Sequence, residues 1–214
     1  RIKLNKTLYI KDPEETELGK EIVSKSIELI YSLGFDKFTF KKLAIAIGSN
    51  EPSIYRYFEN KQQLLNYLHS WYWSWIEFTI DTNIRNIKSA KEKLKIIINV
   101  LINSLSYDAN FKHIDEEKLS NIVIRAYQGI FITQNKNNRN DIFESFDSLC
   151  NKISLIIKEN NVEYVTPNAL SISLIKLVHE QMFFLLNHSN LTEINNKEFL
   201  TNFIENILFS TLKI

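Results

Sequence analysis

Apolar residues recur at helical spacing along nearly the whole chain, and polar residues that favour helix caps separate the apolar stretches. The first stretch predicts a helix over 13–33. Asp12 and Glu15 fit a capping box at its start, and Gly34 is a helix-ending glycine. The chain therefore begins with a capped amphipathic helix behind a short leading segment.

Two short amphipathic segments follow. Thr39 is placed to cap a helix over 40–47, and Asn50 is placed to cap a second one over 51–58. Gly48 stands between them, where a tight turn requires a positive φ. This spacing predicts a helix-turn-helix, whose second helix enters the major groove of DNA by its N-terminal end.

The remaining sequence predicts six longer helices, each with a stripe of core residues. Their expected ranges are 61–83, 89–108, 115–134, 140–160, 166–188 and 195–213. The polar segment 135–140 reads as a loop, and Thr166 before a proline reads as an N-cap. We therefore predict an all-α protein of nine helices.

Composition agrees with this pattern. The 214 residues include only 4 Gly and 3 Pro, too few for the many tight turns of β-rich folds. A single Cys150 excludes an internal disulfide framework and a multi-cysteine zinc site. The sequence shows no signal-peptide pattern and no run of eighteen apolar residues, so we expect a cytoplasmic protein without a membrane partner.

Charge supports nucleic-acid binding only locally. The net charge of the chain is +1, which excludes a strongly cationic coat protein. Residues 36–61 carry five cations and three anions, whereas residues 63–214 carry 15 cations and 16 anions. Because DNA binding needs a basic patch rather than a basic total, the helix-turn-helix is the place where we expect it.

Residues 39–65, TFKKLAIAIGSNEPSIYRYFENKQQLL, resemble the helix-turn-helix of the TetR-type (TetR/AcrR) transcriptional regulators. The resemblance covers residues 17–66. The matching residues are Gly34, Thr39, Leu43-Ala44, Gly48, Asn50, Ser53, Tyr55, Tyr57-Phe58, Lys61 and Leu64-Leu65. It implies a nine-helix TetR-like architecture, with an N-terminal DNA-binding domain and a C-terminal domain for effector binding and dimerisation. We place these domains at 13–62 and 63–214, after an arm at 1–12.

The predicted DNA contacts follow from position in the motif. Hydroxyl groups of the second helix point to the DNA backbone, and Lys61 adds a cation beside the N-terminus of the next helix. Side chains at the start of that second helix read base edges, although Glu51 is an acid where the resemblance implies a neutral residue. The predicted DNA-binding set is Thr39, Lys41, Lys42, Asn50, Glu51, Pro52, Ser53, Tyr55, Arg56, Tyr57 and Lys61.

The arm has two interpretations. It carries four cations before its first acid, Asp12, which favours an arm that reaches along or into the neighbouring DNA groove. Its apolar stretch from Leu8 to Ile10 equally fits an arm packed on its own domain.

Residues 67–78, YLHSWYWSWIEF, are rich in aromatic side chains that surround the predicted helix. Such a helix is buried on several sides, either as a connecting helix or as a wall of a ligand cavity. Polar residues inside apolar helices would supply the few polar contacts of that cavity. The predicted pocket for a small, mostly apolar effector comprises Trp73, Asn99, Asn103, Tyr107, Arg125, Tyr127, Phe146 and His179.

The last two helices are crowded with apolar residues. The resemblance implies that they pair with their copies in a four-helix dimer interface, and burial inside one chain is the alternative. The predicted interface residues are Leu174, Val178, Met182, Leu185, Phe199, Phe203 and Ile207.

Motifs for catalysis, such as GxSxG, HExxH or a glycine-rich phosphate loop, do not occur in the sequence. We therefore expect no enzyme, no cofactor and no metal. The predicted function is a transcriptional regulator, a repressor by resemblance, that binds palindromic double-stranded DNA as a homodimer and is released by an effector. The alternative is an all-helical ligand- or partner-binding module without a DNA function.

Overall fold

The structure is a computed structural model that describes residues 2, 4–104, 111–132 and 139–213, without the side chains of 126–132 and 139–142. Over these residues it contains nine α-helices and no strand, which confirms the all-α prediction. The helices are α1 (Glu17–Leu33), α2 (Phe40–Ala46), α3 (Glu51–Tyr55), α4 (Lys61–Ile84), α5 (Ala90–Asn103), α6 (Glu116–Ile132), α7 (Arg139–Asn160), α8 (Pro167–Asn187) and α9 (Lys197–Leu212).

The start of α1 differs from the prediction. Asp12 caps a 3₁₀ turn, Pro13–Glu15, and Thr16 in an extended conformation separates that turn from the α-helix. The Thr16 hydroxyl accepts the backbone N–H of Gly19 at 3.0 Å and is the true N-cap. A Cβ at Gly19 would collide with the backbone of Pro13. The glycine therefore allows the 3₁₀ turn to fold back onto the first turn of α1.

The capping residues of the two short helices are as predicted. The Thr39 hydroxyl accepts the N–H of Lys42, and the Asn50 side chain accepts the N–H of Ser53. Gly48 between the helices has a φ of 61°, the left-handed conformation that favours glycine. The second helix ends at residue 55 rather than 58. These caps set the spacing of the helix-turn-helix.

The chain divides into two compact units. The first comprises residues 1–74 and 105–145, and the second comprises 75–104 and 146–214, so the division falls within α4 and α7. In the first unit α1 packs against α2 and α6, and α2 packs against α3; in the second, α5, α8 and α9 pack together. The boundaries predicted at 62 and 63 stay a prediction.

Helix α7 contains two residues that the sequence placed in a loop, and it contains the single cysteine. Arg139 and Asn140, expected in a loop, are the first residues of α7, whereas 135–138 lie outside the described residues. Cys150 is buried on α7, as predicted for a small core residue. Burial raises the pKa of its thiol to about 12.

Candidate nucleic-acid interface

The α2–α3 pair buries one face and exposes the other. Phe40, Leu43 and Ile54 pack inward. The outer face carries most of the predicted DNA contacts. Thr39, Lys41, Lys42, Asn50, Pro52, Tyr55 and Arg56 are exposed, and Glu51, Ser53 and Lys61 are half-buried. The structure therefore brings ten of the eleven predicted residues to accessible positions on one short stretch of chain.

Tyr55 is the aromatic residue of this outer face. Its side chain is 47% exposed, and its ring stands edge-on to Phe40 with 5.1 Å between centroids. This contact holds the ring in place while the hydroxyl faces solvent. A fixed and exposed hydroxyl is suited to donate to a phosphate oxygen.

Ser53 is less free than the sequence suggested. Its hydroxyl donates to the Asn50 side-chain oxygen at 2.9 Å, and its backbone N–H donates to the same oxygen at 3.0 Å. A phosphate accepts hydrogen bonds but cannot donate them. Ser53 would therefore have to leave Asn50 before its hydroxyl could contact the DNA backbone.

Tyr57 does not face outward, and the prediction that its hydroxyl points to DNA is wrong. The side chain is 3% exposed, and its hydroxyl is 2.7 Å from the Thr16 hydroxyl. Tyr57 follows the end of α3, and its backbone N–H donates to the carbonyl of the buried Ile54 at 2.9 Å, so the turn after the helix holds it there. Tyr57 thus joins the end of the recognition helix to the N-cap of α1.

Lys61 is also turned toward the protein. Its ammonium donates to the carbonyls of Phe35, Asp36 and Phe38 at 3.1, 3.3 and 3.3 Å, and it lies 4.7 Å from the centroid of the Phe35 ring. An ammonium has three donors, so these carbonyls engage all of them. Lys61 holds the turn between α1 and α2, rather than presenting a free cation as the sequence suggested.

The arm packs on its own domain. Leu8 is buried, the Thr7 carbonyl accepts the side-chain amide of Gln63 at 3.1 Å, and the backbone N–H of Ile10 donates to the Tyr57 carbonyl at 2.8 Å. The Ile10 side chain is exposed. These contacts favour the packed interpretation over an arm that extends along a DNA groove.

Two features of the first unit escaped the sequence analysis. Ile45 on the outer side of α2 is 73% exposed, an apolar side chain among the predicted DNA contacts.

The second feature is a polar cluster around Glu14. The Glu14 carboxylate accepts from Tyr67 at 3.3 Å and lies 2.8 Å from the His113 ring nitrogen. Burial, helped by Glu14, holds the pKa of Tyr67 well above its ordinary value. Only the fold could reveal this cluster, since its members are far apart in sequence.

The predicted pocket residues divide between core and surface. Trp73, Phe146 and His179 are buried, and burial, with Lys176, lowers the pKa of His179 to about 3. His179 is therefore neutral at pH 7.

Of the other five predicted pocket residues, three are exposed and two fall outside what the structure describes. Asn99 and Asn103 are exposed, and their amides donate to backbone carbonyls one turn earlier on α5, so they lie outside the core. Arg125 is exposed as well. Tyr107 and the Tyr127 side chain fall outside the described part of the chain.

The predicted dimer residues also split. Leu174, Val178 and Met182 are buried within this one chain, so for them the intrachain alternative holds. Leu185 is half-buried. The three residues of α9 form a stripe at i, i+4 and i+8 that stays exposed: Phe199 by 58%, Phe203 by 39% and Ile207 by 39%.

One described helix, α8, is long and apolar enough to cross a membrane. Its most apolar eighteen residues have a mean hydropathy of 1.4, and 33% of them are buried inside the chain. Packing against other helices of a soluble protein produces the same pattern.

Residues 22–68 match the family model of bacterial regulatory proteins, tetR family. No curated protein matches the chain. A TetR transcriptional regulator from Legionella pneumophila is 21% identical with a TM-score of 0.62, covering 92% of this chain and 97% of that one. FadR from Bacillus subtilis, solved with stearoyl-CoA, is 20% identical with a TM-score of 0.66, covering 89% and 97%. AibR, solved with isovaleryl coenzyme A and operator DNA, is 14% identical with a TM-score of 0.66, covering 89% and 98%.

These likenesses are spread over nearly the full length of each neighbour, and at such identities they establish the fold. The family match covers α2 and α3 and the parts of α1 and α4 that support them. Residues 22–68 thus carry a helix-turn-helix of the tetR family of bacterial regulatory proteins, and the all-helical fold is similar to that of solved TetR-family regulators.

Proposed function

We propose that this chain is a cytoplasmic transcriptional repressor that binds a palindromic operator through α2 and α3. The observation that carries the proposal is the outer face of these helices inside the family match. Lys41, Arg56 and Tyr55 are all exposed there, and the Tyr55 ring packs edge-on against Phe40. Cations of this kind bind phosphates and guanine edges. We assign DNA binding to 13–62 and effector binding with dimerisation to 63–214.

The proposed repressor is a homodimer joined through α9. Phe199, Phe203 and Ile207 follow one side of that helix, and their exposure would be costly in a monomer. The same stripe of a second copy would bury these side chains, because a two-fold interface pairs a surface with itself. Two recognition helices related in this way read half-sites about 34 Å apart.

The proposed effector is a small molecule with an apolar acyl group. Two neighbours of the same fold were solved with isovaleryl coenzyme A and stearoyl-CoA, and the aromatic core of α4 offers apolar surface around Trp73. An effector that binds better to the form with mis-spaced recognition helices would release DNA. Reciprocity then requires DNA to weaken effector binding by the same factor.

The decisive experiment is fluorescence anisotropy with DNA from immediately upstream of the gene, compared with scrambled DNA over a salt series. Tight binding that weakens steeply with salt and exceeds binding to scrambled DNA would support a specific operator. The variant Arg56→Gln should reduce affinity, and Tyr55→Phe should do so without loss of the contact with Phe40. Lys20→Gln on α1, which removes an exposed pair with Glu17, is the matched control.

Weak binding that is equal for both DNAs would send the search to fragments selected from the whole genome. Failure to select any fragment would reject the proposal in favour of a helical binding module without a DNA function.

A further inference from the structure

A cavity of about 350 Å³ lies at the carboxyl-terminal end of α1, beside α6. Residues 30–35 line one side of it, and Ile122 and Arg125 line the other. All of these residues belong to the first compact unit. The buried residues Trp73, Phe146 and His179, which the sequence assigned to an effector pocket, are not among its described lining residues.

The lining combines apolar and polar groups, and the apolar groups form the larger part. Ile30 and Ile122 are buried, whereas Tyr31 and Leu33 are exposed by 40% and 37%. The Ser32 hydroxyl already donates to the Glu28 carbonyl at 2.9 Å. Large apolar side chains exposed around a cavity indicate a surface suited to an apolar body.

Among the described lining residues, Arg125 is the one that carries a charge. Its guanidinium lies 5.9 Å from the centroid of the Tyr31 ring, which holds the planar group in place. Glu28 of α1 pairs with Lys25 at 2.7 Å, and Asp115, just before α6, pairs with Lys118 at 2.7 Å. Arg125 has no carboxylate partner among the residues that the structure describes.

The ends of the cavity restrict the charge of an occupant. The last residues of α1 carry the negative end of the helix dipole, and Gly34 closes the helix there with its N–H bonded to the Ile30 carbonyl. A dianion would leave one negative charge near these carbonyls, because a single guanidinium balances one charge. A monoanion places its charge at Arg125 and its apolar body against Tyr31 and Leu33.

The volume restricts the size of an occupant. Ligand pockets commonly enclose about 300–1,000 Å³, so this cavity stands at the small end. It cannot fully enclose a nucleotide or a coenzyme A thioester, whereas an acid with one ring or a short chain fits inside it.

We infer that the α1–α6 cavity is a binding site for a small apolar monocarboxylate, held by Arg125. The guanidinium accommodates the carboxylate with two parallel hydrogen bonds, and Tyr31, Leu33 and Phe35 contact the apolar body. The occupant would lie against Phe35, whose carbonyl and ring hold Lys61. Binding would therefore act on the turn that precedes α2.

The test uses the isosteric pair 4-ethylbenzoate and 4-ethylbenzamide, and the cationic 4-ethylbenzylamine of similar size, titrated calorimetrically into the full chain. The benzoate should bind at least about tenfold more tightly than the amide, as a charge-assisted pair requires. Arg125→Gln should remove that advantage. Lys118→Gln, which takes a cation from the same helix outside the cavity, should leave it unchanged. Leu33→Trp, a substitution at an exposed wall, should fill the cavity and weaken both benzoate and amide.

Equal binding of benzoate and amide, or a benzoate advantage that survives Arg125→Gln, would overturn the inference. Tighter binding of the amine would overturn it too and identify the helix end as a cation site. Circular dichroism spectra identical to wild type establish that each variant is folded.

The functional consequence rests on the proposed DNA binding, while the calorimetry does not. Saturating benzoate should change the operator affinity of the wild type but not that of Arg125→Gln. If the chain binds benzoate as expected yet binds no DNA, the proposed function fails and the site stands. If it binds DNA but no probe, the site fails and the function stands.

Discussion

The helix-turn-helix and α9 use their side chains in opposite ways. In the first region the polar residues Tyr57 and Lys61 turn inward and bond the hydroxyl and carbonyls of neighbouring elements. On α9 the apolar residues Phe199 and Phe203 turn outward. Residue type alone therefore does not identify a face. Inward polar groups fix the frame of the motif, and outward apolar groups indicate a surface that awaits a partner.

The largest effect in this comparison is expected at Tyr57. Replacing it with alanine removes a buried ring and should lower the free energy of unfolding by about 3–5 kcal/mol. Tyr57→Phe removes only the hydrogen bond to Thr16 and should cost about 1 kcal/mol. Urea unfolding followed by circular dichroism measures both. Tyr55→Ala, at an exposed position, should lower the free energy of unfolding far less. Equal decreases for the two alanine variants would contradict the assignment of Tyr57 to the inner face and Tyr55 to the outer face.

On α9, a substitution at an exposed apolar residue is expected to weaken self-association rather than the stability of the folded chain. Phe203→Glu should weaken self-association by about 2–4 kcal/mol, because it places a charge in the proposed interface while leaving the folded chain intact. Light scattering after size exclusion would show monomer in place of dimer. Leu155→Glu on α7, at another exposed apolar position, is the control and should not change the mass. A wild-type monomer at all concentrations would contradict the assignment of α9.

In the second unit, His179 is a polar residue whose side chain is buried on α8. Its pKa is about 3 in the folded chain and about 6.5 when unfolded, so the unfolded chain binds the extra proton between these values. The stability that depends on neutral His179 is fully present above pH 6.5 and is lost as the pH falls toward 3. Between pH 7 and pH 5 the wild type should lose about 2 kcal/mol more than His179→Leu. Parallel pH profiles of the two proteins would argue against a buried neutral histidine.

The smallest effect is expected at Lys61. Lys61→Met keeps most of the side-chain stem and should cost about 1 kcal/mol of stability, since it frees three carbonyls at a partly exposed turn. The salt dependence of DNA binding tests its role further. Loss of a phosphate contact reduces the slope of log affinity against log salt by about 0.9. We expect that reduction for Arg56→Gln and an unchanged slope for Lys61→Met.

The sequence predicted helices well where capping residues mark their ends. Thr39 and Asn50 bound the two short helices through local hydrogen bonds, which depend only on near neighbours in the chain. The helix-turn-helix and its resemblance to the TetR family followed from the same local pattern. At the start of α1 the sequence indicated only Asp12, which caps the preceding 3₁₀ turn, whereas Thr16 caps the α-helix.

The facing of individual side chains was harder to predict. The partners of Lys61 are carbonyls 23 to 26 residues away, so no local pattern could indicate them. Helix α8 is apolar on nearly all sides, and the sequence therefore could not tell that Leu174 and Val178 point into their own chain. Tyr57 lies beyond the end of α3, and its burial depends on the turn after Ile54 and on Thr16, which is 41 residues away in the sequence.

The chemistry of the single cysteine has a practical consequence. Cys150 is the only thiol of the chain; it is buried, and its pKa of about 12 keeps it protonated. Maleimide reagents react with thiolates, so we expect the folded native chain to react with them very slowly. A cysteine introduced on the exposed side of α3 would take up a spin label alone. The distance between two such labels would then report the spacing of recognition helices with and without each small molecule.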